Sequence, residues 1–394
     1  MPTQFDTSFD ASMIAGWRLK PAVRITRVET IPLHVPFAKP FKIATGAARA
    51  VAEILIVRLH TDAGIDGIGE TQAWRRIGSD ATLPSLTVEI RDQLAPRVVG
   101  RSPFDAPAIL RDCDAAMARG LYAKAAVADA LLDLQARLLD VPAWVLLGGR
   151  ARTTVAACAV LPLADEMAAT VETALAFVAQ GYRSATLKIG VNDDDDIALA
   201  SRLRSEVPQL ALRPDANATL AADRAERLIR ALKDAGVEAI EQPLAPDALE
   251  AMAALRSQLG MPLIADESVH TRGDLIRVIA AGAASGVQTK VAKNGGAWKT
   301  RTLWEIAAAA GLRIYPGNHP ATSLATASVV HLAAAWPGEL ADGPFAVGIA
   351  GSLARDIVVE PLRVVRGEVA VPEGPGFGVT LDDDAVASMR IDLR

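Results

Sequence analysis

Asp215 in LRPDAN, Glu241 in AIEQPL and Asp266 in PLIADES each close an apolar run. Lys188 (SATLKIG) precedes them and Lys290 (GVQTKVAKNGG) follows them. The intervals along this series are 27, 26, 25 and 24 residues. One strand, one helix and two short loops make a step of that length. Each residue therefore occupies the same place in successive βα units. In a (β/α)8 barrel that place is the C-terminal rim, where chemistry is done. Two amines would face each other across the barrel mouth, on the second and sixth strands, with three carboxylates between them. Carboxylates that converge without a cation repel one another. An all-oxygen set with room for water suits Mg2+, or Mn2+ as a substitute. Asn217, two residues after Asp215, is placed to support that set. A hard cation beside two amines suits removal of a proton alpha to a carboxylate, because the cation stabilises charge growing on the enolate oxygens. A lysine near a cation and partly desolvated has its pKa lowered and can serve as base. The second lysine can return the proton.

The elements that would hold these residues follow from the pattern. From Thr153 onward, short β-like runs (TVAACAVL, SATLKIG, LALRPDA, VEAIEQP, PLIADES, GVQTKVA, LRIYPG) alternate with Ala/Leu/Arg-rich helical runs. Strands alternating with helices argue for a parallel sheet. An eighth strand is weaker, with GPFAVGIA as its candidate. Upstream, RITRVETIPLHVPF reads as a strand, AKPFKIATGAARA as a loop, and AVAEILIVRLHTDAGIDGIGET as a hairpin with Gly64 and Gly67 at its turn. Residues 83–147 are helical by spacing, as in Ala126, Ala130, Leu131, Leu134 and Leu138. This division gives a loose extension over 1–22, an α+β domain over 23–148, a barrel over 149–360 and a β-like segment over 361–394 that returns to the first domain.

Composition narrows the partners. Of 394 residues, 51% are hydrophobic but only 4% aromatic, which fits a large core of closely packed Ala- and Val-rich elements. A net charge of −5, with no Lys/Arg run longer than two, argues against a nucleic-acid footprint. The N-terminus lacks the cationic start and apolar stretch of a signal peptide, and no segment reads as a membrane helix. Cys113 and Cys158 read as two buried thiols of a cytoplasmic protein.

Taken together, the hairpin ending in GIDGIGET, the helix AVADALLDLQARLLDVPAWVLLGG, the three acidic motifs, KVAKNGG and the closing PEGPGFGVTLD resemble the enolase superfamily, in its muconate lactonizing enzyme and mandelate racemase-like branch. The resemblance runs from about residue 23 to the C-terminus. It implies an α/β fold, a modified TIM barrel (β/α)7β under an N-terminal α+β capping domain. It further implies a small carboxylate substrate and a homo-oligomer. Asp215, Glu241 and Asp266 would be the metal ligands, with Glu267 as second choice to Asp266, and Lys188 and Lys290 the acid/base pair. Lys293 reads as a structural loop lysine. Two positions depart from the family pattern. Thr186 stands where a Lys-x-Lys motif would begin, which is expected to raise the pKa of Lys188. PGNHPATS replaces a Gly-x-Met-x-Glu-Ser pattern after the seventh strand, so Ala321 takes the Glu place and Asn318 and His319 reach the rim. Residues 38–48 and TQAWRRIGSD fall where the family places its lid loops, with Trp74 as a substrate-facing candidate.

These readings favour racemisation or epimerisation of an amino-acid or proline derivative, or muconate-type cycloisomerisation. The alternative is β-elimination of water from a hydroxyproline-like or acid-sugar substrate, with His319 protonating the leaving hydroxyl. A non-catalytic metal-binding barrel and a Schiff-base aldolase are the remaining competitors.

Overall fold

The computed structural model describes residues 23–41, 49–73, 75–76, 79–161, 166–341 and 352–393. The chain begins with an antiparallel meander, β1 (Ile25–Phe41), β2 (Arg49–Thr61) and β3 (Gly67–Gln72). Strand β1 runs on through residues 38–41, where the sequence pattern reads as loop; residues 42–48 lie outside the described part. Helices α1 (Ala106–Ala116) and α2 (Leu121–Leu138) cover one face of the meander. The period of two on β2 divides its side chains between two cores. Leu55, Val57 and Leu59 pack with Ile109, Leu131 and Leu134 of the helices. Ile54 and Ile56 face the other way, into the core shared with the barrel. Each such fully buried side chain contributes about 1.5–3 kcal/mol relative to exposure.

Gly64 alone of the two hairpin glycines sits in the turn, with φ +70°. Gly67 opens β3, and its service is close approach. A Cβ there would stand 2.4 Å from the Ala130 carbonyl oxygen, and one on Gly69 would stand 2.2 Å from that of Ala126. The missing side chains let α2 lie directly on β3.

After β4 (Thr154–Ala156), the chain builds β5 (Ala159–Leu161), α3 (Met167–Ala179), β6 (Ser184–Lys188), α4 (Asp193–Glu206), β7 (Ala211–Asp215), α5 (Ala222–Asp234), β8 (Ile240–Glu241), α6 (Leu249–Leu259), β9 (Leu263–Ala265), α7 (Arg272–Ala281), β10 (Gly286–Lys290), α8 (Ala297–Ala309), β11 (Arg313–Gly317) and α9 (Ser323–Ala335). Strands β5 to β11 form one parallel sheet in sequential order, the signature of a barrel wall. All seven strand runs of the sequence pattern are present; the eighth candidate, GPFAVGIA, lies outside the described residues. The fold is the α/β capped barrel that the sequence implied.

The closing segment contributes β12 (Val364–Val365), which pairs with β13 (Glu368–Ala370), β13 itself, which pairs with β4, and α10 (Asp383–Met389). Leu33 of β1 bridges Arg390 just beyond it.

Two buried carboxylates fasten the capping domain to the barrel. Glu70 of β3 accepts from the Thr322 amide (3.1 Å), the Thr322 hydroxyl and the Ala325 amide (3.2 Å) at the start of α9. Asp129 of α2 accepts from the Ala297 amide (2.9 Å), the first residue of α8, and from Ser328 Oγ (2.7 Å). Both place negative charge on orphan donors at a helix N-terminus. Those helices follow β10 and β11, so the capping domain grips the far ends of the loop that follows Lys290 and the loop that carries His319.

Candidate active site

Parallel pairing sets the heights of the rim residues. Lys188 pairs with Asp215, and Asp215 with Glu241, so these three stand level on β6, β7 and β8. Glu241 pairs with Ile264, so Asp266 stands two residues higher, just past the end of β9. Lys290 ends β10 level with Gly317. All three carboxylates are buried, and the lysine side chains are only 13% and 14% exposed.

Each carboxylate is held by a cation. Lys188 Nζ donates to Asp215 Oδ2 (2.5 Å). Lys290 Nζ donates to Asp266 Oδ2, and Lys293 Nζ donates to Asp266 Oδ1 (2.6 Å) and to its carbonyl (2.5 Å). Arg213 Nε is ion-paired with Glu241 Oε2 (3.0 Å). Among the described residues, no three His, Cys, Asp or Glu side chains gather around one point.

Burial is the largest influence on Lys188, Lys290, Glu241, Asp266 and Glu267, and neighbouring charge reverses its direction at Lys188, Lys290 and Asp266. Burial opposes the charged forms of Lys188 and Lys290, yet both are raised: Lys188 by Asp215 and Glu241, Lys290 by Asp266, Glu241 and Glu267. The lowering expected from a cation is therefore reversed where carboxylates alone face the amines. Burial also opposes Asp266, but Lys290 and Lys293 hold its carboxyl well below the usual range. Burial and the Asp215 charge push Glu241 up to about 7. Burial and the Asp266 charge push Glu267 up to about 8.

Asn217 connects these groups. Its backbone is left-handed (φ 47°), and its amide donates to Asp215 Oδ1 (2.8 Å). Its Nδ2 donates to Asp215 Oδ2 (3.0 Å) and Glu267 Oε1 (3.2 Å). Asn217 Oδ1 and Glu267 Oε2 are buried acceptors with no hydrogen-bond partner among the described residues. These unmatched oxygens, beside two carboxyls driven toward protonation, lie free to accept a further donor or cation. The all-oxygen donor set fits a hard divalent cation.

The other expected contacts fall as follows. Thr186 faces inward, and its hydroxyl accepts from Arg213 Nη2 (2.9 Å). Asn318 Nδ2 donates to Thr326 Oγ1 (3.0 Å). The His319 ring stacks on Tyr122 of the capping domain, with centroids 5.6 Å apart. Burial and the Lys290 charge keep its imidazole neutral. Lys290, Asn318 and His319 line one cleft with Glu70, Gln72 and Asp129 from the capping side. Trp74 lies outside the described residues. Cys113 and Cys158 are buried free thiols.

Sequence reasoning missed the interior residues that fix this rim. Gln242, at φ 34°, accepts from the Asp266 and Ser268 amides (2.8 and 3.1 Å) and donates to Ser268 Oγ (2.8 Å). It staples the end of β8 to that of β9. Arg213 and Gln288 sit two residues before Asp215 and Lys290. The strand period of two puts each on the same inward face as its rim partner, so alternation would have found them.

The N-terminal domain model of mandelate racemase / muconate lactonizing enzyme matches residues 25–148, and the enolase C-terminal domain-like model matches residues 167–385. Muconate cycloisomerase 1 of Rhodococcus opacus is 34% identical over 92% of this chain and 97% of its own. L-Ala-D/L-Glu epimerase of Bacillus subtilis (strain 168) is 32% identical over 91% and 97%. The crystal structure of muconate lactonizing enzyme from Pseudomonas fluorescens complexed with muconolactone superposes with a TM-score of 0.90 at 27% identity, covering 94% of this chain and all of that one. Among the described residues, no helix is long and apolar enough to cross a membrane.

Proposed function

Since this chain belongs to the mandelate racemase / muconate lactonizing enzyme family of the enolase superfamily and is an isomerase, we propose that it racemises or epimerises a small carboxylate by proton transfer at the alpha carbon. The observation that carries this reading is the placement of Lys188 and Lys290 at the ends of the second and sixth strands of the sheet, with the three carboxylates between them. A substrate carbon held over the carboxylates would present one face to each amine.

Asp215, Glu241 and Asp266 are the residues we assign to a Mg2+ ion, with Mn2+ as a substitute. The bound ion would offset the crowded carboxylates and stabilise negative charge on the substrate carboxylate as it becomes an enolate. The chain's own residues move the proton. One lysine, in its neutral form, takes the alpha proton; the C–H pair of electrons passes into the enolate. The opposite lysine, as ammonium, delivers a proton to the other face of the same carbon. The two lysines end with their protonation states exchanged, and the reverse reaction starts from there. Asn217 holds the Asp215 carboxylate in place through two hydrogen bonds.

Muconate-type cycloisomerisation is the second reading, favoured by likeness to the cycloisomerases. Elimination of water is the third reading, with His319, which lines the cleft with Lys290, as its acid. Proton NMR in D2O with Mg2+ tests the proposal on a panel of amino acids, N-acylated amino acids, proline derivatives, muconates and hydroxy acids. Alpha-deuteration with loss of optical activity is the expected result. Lactone or vinyl products without alpha exchange would replace it with the second or third reading.

A further inference from the structure

Beneath the two lysines, one guanidinium touches both strands that carry them. Arg213 of β7 projects into the barrel with its side chain only 7% exposed. Its Nη2 donates to Thr186 Oγ1 (2.9 Å) and its Nη1 to Gln288 Oε1 (2.9 Å). Its Nε pairs with Glu241 Oε2 (3.0 Å), and Cζ lies 5.4 Å from the centre of the Tyr315 ring. Thr186 is two residues before Lys188, and Gln288 two before Lys290. By the period of two, each anchor shares the inward face of the lysine above it. The fork therefore ties β6 to β10 across the barrel and holds the Glu241 carboxylate in the same grip.

We infer that Arg213 is a positioning residue that sets the separation of Lys188 and Lys290 across the barrel mouth. A guanidinium is suited to this because its donors diverge in a rigid plane, whereas an ammonium is a compact point charge on a flexible stem. Thr186 fits the same design. A hydroxyl there accepts one arm of the fork, whereas an amine would set a second cation against it. The consequence for turnover rests on the proton-transfer reading above; the cross-barrel tie does not.

The test compares Thr186→Val, Gln288→Leu and Arg213→Lys. Alpha-proton exchange is followed separately for each substrate enantiomer, with kcat and KM resolved. Thr186→Val loosens only the Lys188 side and is expected to slow exchange of one enantiomer. Gln288→Leu is expected to slow exchange of the other. Arg213→Lys is expected to lower kcat for both by about 10²-fold, the effect of an ångström-scale misplacement, with KM nearly unchanged. Equal losses for both enantiomers in both end variants, or no loss, would overturn the positioning role. A thermal double-mutant cycle tests the tie without activity. Thr186→Lys is expected to lower Tm strongly beside Arg213 and much less in the Arg213→Met background. Additive shifts would overturn the tie. Absence of exchange in the wild-type protein would defeat the proton-transfer reading while leaving this cycle to decide the tie.

Discussion

Lys188 faces one carboxylate, Asp215, whereas Lys290 shares Asp266 with a second amine, Lys293. At the Lys188 end, Asp215 is also held by Asn217. At the Lys290 end, two ammonium groups converge on one carboxyl, and Tyr122 of the capping domain stacks on His319 of the neighbouring barrel loop. The first end is a simple pair with a polar buffer. The second is a charge-dense knot whose stability depends on a single residue. The two lysines to which the same chemical role is proposed are thus of unequal structural dependence.

Removing the shared carboxylate should expose this difference most. Asp266→Asn leaves two buried amines facing each other and is expected to cost about 3–5 kcal/mol of stability, together with all turnover. Asp215→Asn also abolishes turnover and Mg2+ dependence but costs less stability, because Asn217 and Glu267 remain beside it. Chemical denaturation of both variants checks the order; equal losses would contradict the comparison.

Metal and pH act next. Glu241 and Glu267 are raised to about 7 and about 8, so between roughly pH 4.5 and 8 these two groups bind more protons in the metal-free folded state than in the unfolded one. Their contribution to stability is therefore expected to fall as pH rises through that window, most visibly above about pH 6.5, where the lowered histidines are neutral in both states. Mg2+ at 100 times its Kd adds about 2.7 kcal/mol. The dissociation constant should be smaller at pH 8 than at pH 5.5. Calorimetry that finds the same Mg2+ affinity at both pH values would contradict the assignment of Glu241 to the ion.

Lys293→Met probes the knot more gently. It relieves repulsion with Lys290 but strips donors from Asp266 and from the Gln288 carbonyl, at an expected cost of about 1–3 kcal/mol. Turnover should fall less than in Lys290→Ala. A loss as large would make Lys293 a participant rather than a strut. The smallest effect is expected from Glu70→Gln, which keeps one acceptor for the start of α9 and costs about 1 kcal/mol. A larger loss of activity than of stability would show that the capping grip also tunes the Lys290 end.

The rim was legible in the sequence because each βα unit contributes one residue at nearly the same phase; Asp266 departs from it, standing two residues above the level of Glu241 and past the end of β9. Strand order, the lysine on each side and the acidic series all follow from that one regularity. The partners were not legible. Which cation holds which carboxylate depends on long side chains reaching across strands, as Arg213 does to Thr186 and Gln288, and pair spacing along the chain carries no such information. The same limit applied to Gly67, whose place in β3 is dictated by the helix lying on it rather than by the turn beside it. The reversal of direction at Lys188 and Lys290 has the same origin, since burial and neighbouring charge act through space.

The central claim is that two opposed lysines serve opposite faces of one carbon. Its most direct measurement is alpha-proton exchange in D2O, enantiomer by enantiomer, in Lys188→Ala and Lys290→Ala with Mg2+ present. Each variant is expected to lose exchange of one enantiomer by about 10²–10⁴-fold while the other enantiomer still exchanges. Equal small losses for both enantiomers in both variants would contradict the facing-lysine account.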